Sequence, residues 1–253
     1  MKSLFLCHGA PDIILEDNEY ISLLKEMGSK YRPNAIIIFS AHWEEKETTI
    51  SSVTGNYDMI YDFYGFPEEL YHVKYPAQGS PELALRIQNL FSEKGIESRL
   101  DTNRGIDHGT WTILSMMYPK ADIPIVQISI NPFRPMEEQY QIGKALMPFA
   151  KEDILVIGSG STVHNLGSLE PFAKKPKDWA VEFDDWLINK VIHLNLDQLY
   201  AYQKMAPNVK QAVPREEHIV PMFIAMGCGQ LEQPKLLHRS YQYGTLTYLG
   251  FEF

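Results

Sequence analysis

Short apolar runs, each the length of a strand, alternate along this chain with segments of helical periodicity, and that alternation narrows the fold more than any other feature. The runs lie at Ser3 to Cys7, Ala35 to Ser40, Thr48 to Val53, Glu97 to Leu100, Pro124 to Ile130, Ile154 to Gly158 and Leu246 to Phe253. Between them, helices are expected near Glu19 to Tyr31, Pro81 to Lys94, Thr110 to Met117, Met136 to Ala150, Trp179 to Leu194 and Arg215 to Met226. In the second of these, Leu83, Ile87, Leu90 and Phe91 share one helical face, and Pro81 follows Ser80, a residue suited to the N-cap. Repeated strand, helix, strand predicts an α/β fold. With no internal repeat and no Gly/Ser linker, residues 1–253 read as a single domain. "EPFAKKPKDW", Glu170 to Trp179, is expected as an exposed loop, and the final "GTLTYLGFEF" as a strand that ties the tail into the sheet.

A chain of 253 residues is long enough to bury a substantial core. Its net charge of −9 gives no electrostatic support for nucleic acid or an anionic membrane surface as a partner. No apolar run approaches the roughly 20 residues that span a bilayer. The N-terminus "MKSLFLCHGAPD" meets polar and acidic residues too soon to form a signal-peptide core, so the expected location is the cytoplasm. Cys7 and Cys228, far apart and outside any CxxC, are expected as buried thiols.

Three of the eight histidines occupy one kind of place. "LFLCHGAP" puts His8 just past a strand, "IIIFSAHWEE" does the same for His42, and "ILVIGSGSTVHNL" puts His164 after a strand and a flexible turn. Ligands of open α/β sheets bind outside the carboxyl ends of the strands, so these imidazoles are candidates for one crevice. Imidazole is a leading ligand for zinc and iron. Taken singly, each is also what a structural histidine with one or two hydrogen bonds looks like. "GIDHGTW" places His108 at an expected helix start beside Asp107, a carboxylate able to orient or charge the ring. "PREEHIVPMF" places His218 in the first turns of an apolar helix, facing inward while Glu216 and Glu217 face water as helix N-terminal charges. The crowded rings of "YDMIYDFYGFP" fit either a packed loop or a pocket wall. "GSGS" at Gly158 to Ser161 lacks the rest of a phosphate loop and of a nucleophile elbow.

Taken in order, "CHGAP", "SAHWE", "YDFYGFP", "RGIDHGTW", "VQISI", "GSGSTVHNL" and "EEHIVPMF" resemble the class III extradiol ring-cleaving dioxygenases, in the DOPA-dioxygenase-like branch, over nearly the whole chain. The resemblance implies an α/β domain with a central, mostly parallel mixed sheet and helices on both faces. It implies His8, His42 and His218 as metal ligands, with His218 where better-known members carry Glu. His164 matches an acid/base histidine close enough to join the metal, and His108 a further catalytic histidine contacting substrate or dioxygen. The implied cofactor is Fe(II), with Zn able to occupy the same site. The implied partners are a small aromatic substrate and dioxygen, and the resemblance leaves room for a homodimer.

On that reading Trp43, Tyr61, Phe63, Tyr64 and Phe66 are expected as substrate-stacking walls, and His72 or Arg104 as a partner for a substrate carboxylate. His193 and His238 are expected to be surface or structural. Two rivals remain open: a zinc hydrolase or lyase using His164 or His108 as base, and a non-catalytic protein that binds catechols or metal.

Overall fold

Ile36, Ile37, Ile38 and Phe39 are all fully buried, so this run has both faces covered, which is the environment of a central parallel strand. The computed structural model describes residues 2–253. In chain order the elements are β1 (Lys2–Cys7), α1 (Glu19–Lys30), β2 (Ala35–Glu44), β3 (Thr48–Ser51), α2 (Pro81–Glu93), β4 (Ser98–Asp101), α3 (His108–Met117), β5 (Ile125–Ile130), α4 (Met136–Ala145) and β6 (Ile154–Gly160). They continue with α5 (Asp178–Ile192), α6 (Leu196–Tyr200), α7 (Tyr202–Met205), α8 (Val209–Ala212), α9 (Val220–Cys228), β7 (Lys235–Gln242) and β8 (Leu246–Glu252). The sheet order is β4-β3-β5-β2-β6-β1-β8-β7. Its centre, β5-β2-β6-β1, is parallel, as is β3 with β4. The pairs β3 with β5, β1 with β8 and β7 with β8 are antiparallel. The mostly parallel mixed sheet expected from the resemblance is the one observed.

Helices cover both faces, and one strand shows how. Side chains alternate along a strand. On β6 the Ser159 hydroxyl donates to the Gly109 carbonyl of α3. Its neighbour Gly158 turns the other way, against Pro221 of α9. α1 packs on α3, and α4 on α9. The second contact is backbone on backbone: a Cβ on Gly143 would lie 1.9 Å from the Ile224 carbonyl oxygen, and one on Gly227 would lie 2.0 Å from that of Tyr140. Cys228 fills the seam, its thiol donating to the Gly143 carbonyl at 3.1 Å, while Cys7 accepts from the Leu249 amide, so both thiols are buried as expected.

Several elements differ from expectation. β2 runs past Ser40 to Glu44, through a register break after Phe39, because its late residues leave β6 and rejoin β5 at Ile130. The helix expected over residues 136–150 ends at Ala145, and Pro148, which has no amide hydrogen to donate, starts a tighter turn. α9 starts at Val220 rather than Arg215, with Pro221 in its first turn. β7 was not expected: it is a half-exposed edge strand with the polar sequence "KLLHRSYQ". The short helices α6, α7 and α8 were not expected either. Among the described residues no helix is long and apolar enough to cross a membrane.

Asp184 ties α5 to the sheet. Its carboxylate accepts from Thr162, just after β6, at 2.9 Å and from Thr247 in β8 at 2.8 Å. Complete burial outweighs these bonds and pushes the carboxyl up to about 6. A carboxyl whose pKa is higher folded than unfolded binds more protons in the native state between the two values. Its stabilising effect is therefore complete below the unfolded value and is lost as pH rises through the folded one. Apo protein should lose about 3 kcal/mol of folding stability from this group between about pH 4 and pH 7. Asp184→Asn should flatten that slope in urea unfolding, and an unchanged slope would contradict the assignment.

Candidate metal centre and its cavity

The centre forms where β1 and β6 end and where β2 leaves β6. Cys7 is level with Gly160, and Ser40 with Ser159, so His8 and the residues after Ser40 and Gly160 emerge at one height. His42 stands on β2 beyond its register break. His218 lies in the turn before α9 rather than in its first turns, and its carbonyl accepts from the Ser161 amide at 2.8 Å. That approach requires glycine at position 160, where a Cβ would lie 2.1 Å from the same carbonyl oxygen. His108 is the first residue of α3, and His164 follows β6, its amide donating to Ala212.

Four histidine rings have one nitrogen committed to an acceptor. The Ser159 hydroxyl spends its hydrogen on Gly109, so at 2.9 Å from His8 Nδ1 it accepts, and Nδ1 carries the hydrogen. Asp62 Oδ1 lies 2.9 Å from His108 Nδ1, and Oδ2 lies 3.1 Å from His42 Nδ1. Burial would raise Asp62, but its bonds to His108 and His42 overcome this and hold it well below the usual carboxylate range. An ionised carboxylate only accepts, so both Nδ1 atoms are donors. Glu217 Oε1 faces His218 Nδ1 at 3.0 Å.

A neutral imidazole with hydrogen on Nδ1 has a bare lone pair on Nε2. His218 Nε2 is buried with no hydrogen-bond partner. His8 Nε2 and His42 Nε2 face each other at 3.1 Å. Two lone pairs at that distance repel unless a proton or a metal ion lies between them. The separation also suits two nitrogens each about 2.1 Å from one ion. One ring nitrogen from each of His8, His42 and His218 falls within 4.8 Å of the other two, so this trio fits a divalent cation.

Burial and mutual repulsion favour the neutral form of four of the five rings. Desolvation first, then the neighbouring histidines, hold His8 and His218 well below the ordinary range. The same causes push His164 down to about 4. Burial also outweighs Asp62 at His108, which is lowered. At His42 burial opposes the proton, but Asp62, Asp107 and Glu217 outweigh it and the ring is raised. His164 stacks on His218, ring centres 3.4 Å apart, and groups with His218 and Glu217 rather than with His8 and His42.

The centre opens into a cavity of about 490 Å³ lined by His8, His42, Asp62, His108 and His164 together with Phe63, Tyr64 and Phe66. Trp43 and Tyr61, expected as walls, do not line it. Trp43 follows His42 on a strand and so points the opposite way, buried under the Arg104 guanidinium. Tyr61 lies in the loop before Asp62, and its hydroxyl donates to the Val73 carbonyl. Arg104 is held by the His42 carbonyl and Asp107, and His72 is exposed beside Glu68, so neither takes the role expected of it.

Asp107, read as the orienter of His108, instead accepts from Ser40, Gln127 and Arg104. Glu217, read as facing water, is 7% exposed and holds His218. Asp62 was missed, although it stands among the rings of "YDFYGF" that drew notice. His193 and His238 bond to Asn189 and Ser240, outside the centre.

With the histidine-rimmed cavity described, comparison with known proteins supplies the class. Residues 12–253 match the model of the family described as the catalytic LigB subunit of aromatic ring-opening dioxygenase. The chain is 38% identical to a 4,5-DOPA dioxygenase extradiol of Beta vulgaris, over 100% of this chain and 96% of that one. It is 34% identical to a protein of the same name from Escherichia coli strain K12, over 92% and 87%. A crystal structure of an uncharacterized Escherichia coli K12 protein superposes with a TM-score of 0.85 at 30% identity, covering 100% of this chain and 99% of that one. The chain therefore belongs to the LigB family of class III extradiol ring-opening dioxygenases, in its DOPA-dioxygenase-like branch.

Asp62→Ala should free two rings at once. Nitrogen-edited NMR of the apo protein should show protected Nδ1 hydrogens on both His42 and His108, and both should disappear in the variant. Loss of one alone would contradict the shared clamp.

Proposed function

We propose that this protein opens the ring of a small catecholic substrate next to its hydroxyl pair with dioxygen, using Fe(II) held by His8, His42 and His218. The observation that supports this is the set of three Nε2-side lone pairs, each backed by a bonded Nδ1, two of them on residues that line the cavity and the third buried behind it, in a chain of the ring-opening family. Bound Fe(II) would acidify the catechol hydroxyls and engage dioxygen, whereas Zn on the same nitrogens would supply only the first.

The remaining steps belong to the chain's own residues. His164, neutral above about pH 4, accepts a catechol hydroxyl proton on a ring nitrogen and returns it to the opened product. His108 keeps Nε2 for the substrate because Asp62 holds its Nδ1. The edge-to-face rings of Phe63 and Phe66, 5.5 Å apart, receive the aromatic ring and keep water from it. The cavity volume lies within the roughly 300–1,000 Å³ of small-molecule sites.

Anaerobically iron-loaded protein mixed with DOPA or simple catechols should consume dioxygen one for one with substrate and form a coloured semialdehyde. Zinc-loaded protein should do neither. His164→Gln should keep its iron and lose about 10²- to 10⁴-fold in kcat, whereas His218→Ala should lose the iron. No uptake by a fully loaded iron protein would contradict the reading.

A further inference from the structure

Beyond the histidines, Asp62 and two tyrosine hydroxyls, the cavity lining is apolar. Pro11, Phe63, Phe66, Leu166, Leu169 and Leu246 line it. Leu166 and Tyr64, 62% and 92% exposed, carry the same chemistry to its mouth. Among the described residues that form the lining there is no lysine or arginine. Four cations of the chain are engaged outside the lining: Arg104 with Asp107, Arg215 with Glu44 and Glu217, Lys177 with Glu170, and Lys74 with the Tyr61 hydroxyl.

The charge beside the wall has the opposite sign. Asp12 follows Pro11, and one of its carboxylate oxygens is buried without a hydrogen-bond partner. Behind the larger effect of burial, Asp12 and Glu16 hold the phenol of Tyr243, another lining residue, above its ordinary range. Asp62 is already shared between two histidines.

A tail carboxylate entering this cavity away from the proposed metal loses its water, finds no lysine or arginine in the lining and meets the Asp62 carboxylate there. Burying a charge without a partner is unfavourable. An alkyl tail gains instead with each methylene covered. On the ring-opening reading, we infer that the substrate's catechol carries an uncharged apolar side chain, and that the wall formed by Phe63, Phe66, Leu166, Leu169 and Leu246 selects it over a charged tail, whether a lone carboxylate or the carboxylate and ammonium of DOPA, which would lose their water against it.

The test uses para-propylcatechol, dihydroxyphenylpropanoate and DOPA, which share a ring and differ in the tail. Dissociation constants are measured by calorimetry without dioxygen, so they need no turnover, and kcat/KM by oxygen uptake. Propylcatechol should bind and react at least about tenfold better than either carboxylate. Leu166→Arg, at an exposed position that leaves folding intact, should reverse the order for the propanoate. Equal or tighter binding of a carboxylate by the unaltered protein overturns the inference, as does binding of none of the three. An arginine variant that keeps the full preference overturns the placement of the tail against Leu166. If the binding order holds while no catechol consumes dioxygen, the tail preference stands and the ring-opening reading fails.

Discussion

The structure of this centre depends on what happens to the second nitrogen of each imidazole. Ser159 accepts from His8, Asp62 faces His42 and His108, and Glu217 faces His218. Each acceptor fixes a tautomer and a ring angle, and each leaves the opposite nitrogen bare. Lone pairs so close together are costly in a buried site, and His218 Nε2 has no partner of its own. The centre is therefore built around a positive charge at its middle, which the proposed metal would supply.

The sheet makes that convergence possible. Parallel β1 and β6 end together where β2 leaves β6, and the alternation of side chains divides the work between two faces. Ser159 faces α3, which begins with His108, while Gly158 and Gly160 admit α9 and the turn that carries His218. Desolvation keeps His8, His164 and His218 neutral and ready to donate lone pairs. Asp62 and Glu217 return negative charge just outside the ring of nitrogens. On the proposed reading they offset in part the carboxylate ligand that His218 replaces.

Much of this was legible in the sequence because strand ends and periodicity are local signals. Strand-end positions singled out His8, His42 and His164, helix starts drew in His108 and His218, and the order of the motifs implied their roles. The acceptors behind the rings were harder to see. Asp62 lies in a loop 46 residues before His108, and nothing in "YDFYGF" says which way it turns. Glu217 looked like an ordinary helix-start acid because α9 was expected to begin earlier, and Asp107 is adjacent to His108 in sequence yet bonded to Ser40 and Gln127. Trp43 shows the limit of motif reading: one step along a strand turns a residue from the cavity into the wall behind it.

The central claim is that the bare nitrogens of His8, His42 and His218 hold one metal ion. Anomalous diffraction at the iron edge, from crystals loaded with Fe(II) under anaerobic conditions, tests it directly. A single iron peak within bonding distance of all three side chains, with His164 and Asp62 beyond it, is the predicted result. A peak bound by Asp62, or one that leaves His218 Nε2 unligated, would contradict the account.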